Sequence, residues 1–200
     1  MEPMNASADP APSPVEMQVH RIRELVKGRR FEESLEAAEA LALRAVRQGM
    51  GIVYGGASCG LMGRIADVAL AAGGEVIGVM PRMLVDKEIA HRGLTELRIV
   101  PSMHERKAMM ADLSDAFIAL PGGFGTFEEF CEIVTWAQLG IHSKPCGLLN
   151  VSSYFDSLLQ LFDHAVAEGF LKPHNRKLVI ADSNIESLLD RLATSCRASD

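Results

Sequence analysis

The rhythm of apolar positions changes near residue 50. Before it, Leu35, Ala38, Leu41, Ala42 and Ala45 recur at three- and four-residue spacing, with Glu32, Glu33, Glu36 and Glu39 between them. This is the stripe of an amphipathic helix, and it predicts helix over residues 15–48 with a break at Gly28 as an option. Beyond it, short apolar runs closed by Gly or Pro alternate with longer amphipathic segments. The runs, read as strands, are residues 51–54, 75–80, 97–100, 116–120, 145–149 and 178–181. Helices are predicted at 61–72, 104–113, 126–139, 153–168 and 185–193. Continuous apolar strands alternating with helices indicate a parallel sheet covered on both faces. The expected fold is α/β: a single-domain, Rossmann-like, doubly wound parallel sheet with helices on both faces. Ligands of such sheets sit beyond the carboxyl ends of the strands. Residues 15–200 are assigned to this one domain. Residues 1–14, with Pro10, Pro12 and Pro14 and no apolar h-region, read as a disordered tail and not as a signal peptide.

Two strand-to-helix turns at that edge are rich in glycine. One is GIVYGGASCGLMG, residues 51–63, with Gly55 and Gly56 at its bend; the other is AFIALPGGFGTFEE, residues 116–129. Glycine lets the backbone turn sharply and lets a ligand approach the main chain. The free N–H groups and positive end of the next helix then favour a phosphate. Thr126 is placed to cap the second helix and to donate its hydroxyl to the same anion. Neither turn is a G-x-x-x-x-G-K-[ST] loop, and neither reads G-x-G-x-x-G with an acid after the next strand, so triphosphatase and dinucleotide readings have little support. Glu128 and Glu129 follow the glycines directly, in the first turn of the predicted helix. Acids beside an anion are electrostatically costly unless they have another duty, such as holding a ribose hydroxyl, activating water or stabilising an oxocarbenium-like charge. Arg106 and Lys107, after the strand at 97–100, are either a solvated face or positive charge for the same phosphate or leaving base.

Charge and composition narrow the partners. The chain has 200 residues and a formal charge of −6, which argues against a surface that grips a nucleic-acid backbone. No run reaches the roughly 18–20 apolar residues of a membrane span. Cys59, Cys131, Cys146 and Cys196 are widely spaced with no C-x-x-C pair, so they read as buried, reduced thiols of a cytoplasmic protein and not as a zinc site or disulfide framework.

PGGFGTFEE, residues 121–129, matches the PGG-x-GT-x-x-E signature of the LONELY GUY proteins, long misnamed possible lysine decarboxylases, and the chain resembles that family from about residue 49 to 182. YGGASCGLMG, GGEVIGVMPRML, EIAHRGLTEL, SMHERKAMM and TWAQLGIHSKPCGLLN also match, in the same order. The resemblance implies hydrolysis of the N-glycosidic bond of an N6-prenylated AMP, or AMP itself, releasing the free base and ribose 5-phosphate. It implies that Gly122, Gly123, Phe124, Gly125 and Thr126 hold the phosphate, with Gly55 and Gly56 in the other turn. Arg106 with Glu129 or Glu128 would be the catalytic pair, and Lys107 and Glu88 further nucleotide contacts. It implies a homodimer and no metal or organic cofactor. A pyridoxal enzyme would need a Schiff-base lysine with a supporting acid, and Lys144, in a loop before a strand, gives no sign of that role. Trp136 and the Met109–Met110 pair are candidates for an apolar interface or a prenyl pocket, or are simply core.

One part departs from the pattern. The family begins with a strand and Gly-Ser turn of the type C-V-x-C-G-S-S, and nothing like it precedes Phe31. Residues 15–30 instead carry Arg21, Arg23, Lys27, Arg29 and Arg30 in a helical pattern. A first strand in such a sheet is usually central, so its neighbours must close up or another segment must fill the place. This favours, as an alternative, a nucleotide-binding or sensor module without catalysis.

Overall fold

The structure is a computed structural model that describes residues 29–85 and 90–197. The expected tail, the basic run up to Gly28, and Glu88 lie outside the described residues. The chain opens on α1 (Arg29–Arg47), followed by β1 (Ile52–Tyr54), α2 (Gly60–Ala71), β2 (Val76–Pro81) and a one-turn α3 (Arg82–Val85). Then come β3 (Glu96–Val100), α4 (Met103–Leu113), β4 (Phe117–Ala119), α5 (Phe124–Gln138) and β5 (Cys146–Leu149). A 3-10 turn (Val151–Ser153), α6 (Asp156–Ala167), a one-turn α7 (Pro173–Arg176), β6 (Val179–Asp182) and α8 (Ile185–Arg197) complete it. All six predicted strands are present, and every strand pair is parallel.

The strands form two ladders of three, β1-β2-β3 and β4-β5-β6. Among the described residues no ladder joins β1 to β4, the place where a central strand was expected to be missing. Burial marks the break. Every residue of β5 is buried, as in a strand covered on both faces, whereas all three residues of β4 and the first two of β1 are only half-buried.

One face holds the two ladders together through α1. Ala42 of α1 packs with Tyr54, Ala66, Ala69 and Val76 over the first ladder. Leu41, its neighbour in sequence, packs with Leu149, Leu188, Leu189 and Leu192 over the second. Each fully buried leucine of this set contributes on the order of 2 kcal/mol by leaving water. On the opposite face the core of the second ladder is aromatic: Phe130 and Phe155 close over Cys146, Leu148 and Val179. Alternation along β5 follows from its pleat, with Leu148 facing the aromatic core and Leu149 the leucine core.

Two helix starts differ from expectation. α5 begins at Phe124, with Gly123 as its N-cap and no side-chain capping bond, so Thr126 is the third helical residue and not the cap. α6 begins at Asp156 because Ser152 (φ 48°) and Ser153 (φ 60°) hold the left-handed region and stop the helix from starting sooner.

Candidate active site

The site forms at the carboxyl edge, where β1 runs into Gly55 and β4 into the Pro121–Gly123 turn. Arg106 is its centre. The residue lies on α4, whose N-cap Ser102 accepts a 3.3 Å bond from the Glu105 N–H. It is 8% exposed, so the solvated-face reading fails for it. Its Nε donates to the Val79 carbonyl of β2 at 3.2 Å, and its Nη1 donates to Glu129 Oε1 of α5 at 2.5 Å. A Cβ at Gly55 would overlap the guanidinium, so the missing side chain there is what admits Arg106. One guanidinium therefore ties β2, the first glycine turn and α5 together across the gap between the ladders.

Lys107 makes a second set of ion pairs, from Nζ to Glu128 Oε1 at 2.6 Å and to Glu132 Oε2 at 2.8 Å. These hydrogen bonds, Glu128 first and then Glu132, hold the ammonium above the usual lysine range. Glu128 and Glu129 lie in the second turn of α5, not the first, because the helix starts two residues earlier than expected. They are thus clear of the first N–H groups of the helix, and each faces a cation. That geometry removes the electrostatic objection to acids near an anion site. Glu132 escaped the sequence reading, although its i+4 spacing from Glu128 puts both carboxylates on one helix face.

Around these pairs the second glycine turn is open. A Cβ at Gly123 or Gly125 would meet nothing within 4 Å, and Phe124 is 93% exposed. Gly122 is different, since a Cβ there would overlap Thr126 Oγ1. Thr126 packs its hydroxyl end against the turn. Opposite, the first turn is closed by the protein's own groups. Gly56 adopts φ 78° and its carbonyl accepts the His91 N–H at 2.8 Å. The His91 ring accepts the Gly93 N–H at Nδ1 (3.0 Å), which leaves Nε2 to donate to Asp67 at 2.9 Å. Tyr54 donates its hydroxyl to the Ala57 carbonyl at 3.3 Å; burial, then the charges of Asp67 and Cys59, push its pKa up.

Other expectations resolve as follows. Of the four cysteines, all free thiols, Cys146 alone is buried, while Cys59, the N-cap of α2, and Cys131, within α5, are exposed and Cys196 is intermediate. Burial pushes the Cys146 thiol up to about 12, so it stays protonated at neutral pH. Lys144 donates to the Ala111 carbonyl at 2.7 Å, near the end of α4. Its ammonium stabilises the negative end of that helix. Trp136, Met109 and Met110 are half-buried. Among the described residues no helix is long and apolar enough to cross a membrane.

A parallel α/β scaffold with an open glycine turn and a buried arginine paired to a half-buried glutamate at its carboxyl edge defines a Rossmann-like protein whose backbone a small ligand can approach at that edge. The sequence model of the family described as possible lysine decarboxylase matches residues 62–192. Cytokinin riboside 5'-monophosphate phosphoribohydrolase of Rhodococcoides fascians is 50% identical over 155 residues, 77% of this chain and 78% of that protein. Cytokinin riboside 5'-monophosphate phosphoribohydrolase LOG5 of Arabidopsis thaliana is 50% identical over 157 residues, covering 78% and 69%. The chain belongs to this LONELY GUY family. The solved structure of the molybdenum cofactor carrier protein of Chlamydomonas reinhardtii shares the fold, with a TM-score of 0.60 at 22% identity over 84% of this chain and 89% of that one.

Proposed function

We infer that the protein hydrolyses the N-glycosidic bond of a cytokinin riboside 5'-monophosphate, releasing the base and ribose 5-phosphate. The observation that carries this reading is the Arg106–Glu129 pair, buried on the arginine side and 35% exposed on the carboxylate side, next to an open glycine turn. In the proposed site the 5'-phosphate lies against the N–H groups of Gly123, Phe124, Gly125 and Thr126. Gly122 gives the turn its shape. As the C1'–N9 bond breaks, its electron pair goes to the base, which takes up a proton. Positive charge develops on the ribose ring and faces Glu129. Water attacks C1' and gives its proton to that carboxylate. Arg106 keeps the carboxylate aimed, and its own position depends on Gly55.

Glu128 is the lesser candidate for this chemistry because it is paired with Lys107 and faces solvent. Lys107, Gly56 and Glu88 are proposed as further nucleotide contacts. No metal or organic cofactor is required by these steps. Leu139 and Ile141, exposed after α5, supply apolar surface that the second copy of a homodimer would cover; sedimentation velocity reads this directly. The reading places the protein among soluble nucleotides of the cytoplasm.

Chromatography of the products from AMP and from N6-prenyl-AMP tests the reaction. The expected result is free base from the monophosphate and none from the nucleoside. Glu129→Gln and Arg106→Ala should each lower turnover by roughly 10²-fold or more; full activity in both would overturn the assignment. The edges of β1 and β4, unjoined among the described residues, favour one second reading, a module that binds the nucleotide without cleaving it. Calorimetric binding of AMP with no base released on long incubation would establish that reading instead.

A further inference from the structure

The second glycine turn is supported from behind by the segment between β5 and α6, whose residues 153–155 the apolar pattern assigns to the helix that follows but which precede it in the structure. Between β5 and α6 the chain passes through Ser152 and Ser153, both left-handed, and reaches Tyr154. Nothing about this path is loose. The Asn150 N–H donates to the Asp182 carbonyl at 2.8 Å, and its side chain accepts from the Phe155 N–H and donates to Asp156, both at 2.7 Å. Ser152 donates its hydroxyl to Glu33 of α1. The Tyr154 ring stacks parallel to Phe127, with centroids 6.4 Å apart at 10°, and meets Phe155 edge-on at 5.1 Å and 85°. So held, the Tyr154 hydroxyl donates to the carbonyl of Gly122.

That bond has a consequence for the other side of the same peptide. The Gly122 carbonyl and the Gly123 N–H belong to one planar trans unit and point in opposite directions. The unit has glycine at both ends, so no Cβ at Gly122 or Gly123 resists its rotation. A Cβ at Gly123 would meet nothing within 4 Å, so crowding at that residue does not select an orientation either. With the carbonyl turned toward Tyr154, the Gly123 N–H points away from it, at the N-cap of α5, whose first N–H groups have no helical acceptors. We propose that Tyr154 is a positioning residue for phosphate: its hydroxyl fixes the Gly122–Gly123 peptide so that the Gly123 N–H faces the anion. This rests on the reading above that the 5'-phosphate binds at this turn.

The test uses the full chain, with ribose 5-phosphate and free adenine as separate calorimetric probes. Tyr154→Phe keeps the stacked ring and removes the donor. Ribose 5-phosphate should bind about 5- to 10-fold more weakly, the worth of one hydrogen bond. KM for the monophosphate should rise by a similar factor with kcat within about 2-fold, while adenine binds as before and the melting temperature stays within a few degrees. Equal ribose 5-phosphate affinity in the two proteins overturns the role of Tyr154 alone. A parallel loss of adenine affinity also overturns it, because the effect is then a general disturbance of the pocket. In the wild type, the Gly123 amide resonance should shift on titration with ribose 5-phosphate; an unmoved resonance at saturation overturns the proposal whatever the variant does. Failure of the wild type to bind ribose 5-phosphate, with adenine still bound, brings down the phosphate reading and the role of Tyr154 with it.

Discussion

Gly55 and Gly123 stand in corresponding strand-to-helix turns of the two ladders, yet the space beside each is put to opposite use. At Gly55 the room is taken by the Arg106 guanidinium, and the neighbouring carbonyl of Gly56 is bonded to His91. At Gly123 and Gly125 nothing of the protein approaches within 4 Å of a would-be Cβ. The first turn serves internal packing, and the second leaves its backbone available. Two glycine motifs that look alike in sequence thus differ in use: one seats the cation of the Arg106–Glu129 pair, and the other, under the proposed function, faces the ligand.

Substitutions at the two turns should separate these uses. The largest effect is expected for Gly55→Ala. Its methyl would displace the end of the Arg106 side chain from Glu129, lowering turnover by roughly 10²-fold and stability by about 1–3 kcal/mol from overpacking. Steady-state kinetics with a melting curve checks both; turnover within a few-fold of wild type would show that the turn does not exist to seat Arg106. Gly123→Ala should spare the fold, costing under about 1 kcal/mol as a poorer N-cap, yet raise KM several-fold where the substrate lies against the backbone. An unchanged KM would remove the distinction between the two turns.

The smallest effect concerns the ion pairs of Lys107, which join α4 to α5. Because its ammonium titrates above the usual lysine range, the pairs contribute fully below about pH 10.4 and fade as pH rises through the raised value. Glu128 is 57% exposed, so the contribution should not exceed about 1 kcal/mol. Denaturant titrations of wild type and Lys107→Gln should differ by that amount at pH 7 and converge once the pH passes the raised lysine value. A gap that persists there would mean that the lysine acts through packing and not through charge.

The strands were legible because each is an apolar run bounded by Gly or Pro, and the boundaries moved by a residue or so. Arg106, Lys107, Glu128 and Glu129 could be picked out one by one, but their pairing across 21 or 23 residues could not, since it depends on how α4 and α5 meet. The one-turn helices α3 and α7 are too short to show a period. The start of α6 was placed too early because serine gives no local sign of a left-handed backbone. Thr126 drew the cap assignment through its ordinary preference, which Gly123 overrode. Among the described residues β1 and β4 are not joined, a non-local fact of pairing of which nothing within either strand gives a sign.

Helix α1 bears on how the chain acquires its structure. Leu41 shares a core with Leu188, Leu189 and Leu192, so the first described helix is completed by the last. Each ladder can pair its own consecutive strands early, but this leucine core has to close almost the whole described length of chain into a loop. During synthesis α8 emerges after every other described element. Until it does, the apolar side of α1 that faces the second ladder has no partner from α8, and nascent chains carry that stripe uncovered by this helix. The leucine core therefore closes only with the arrival of α8, whereas the core over the first ladder contains no residue of that helix.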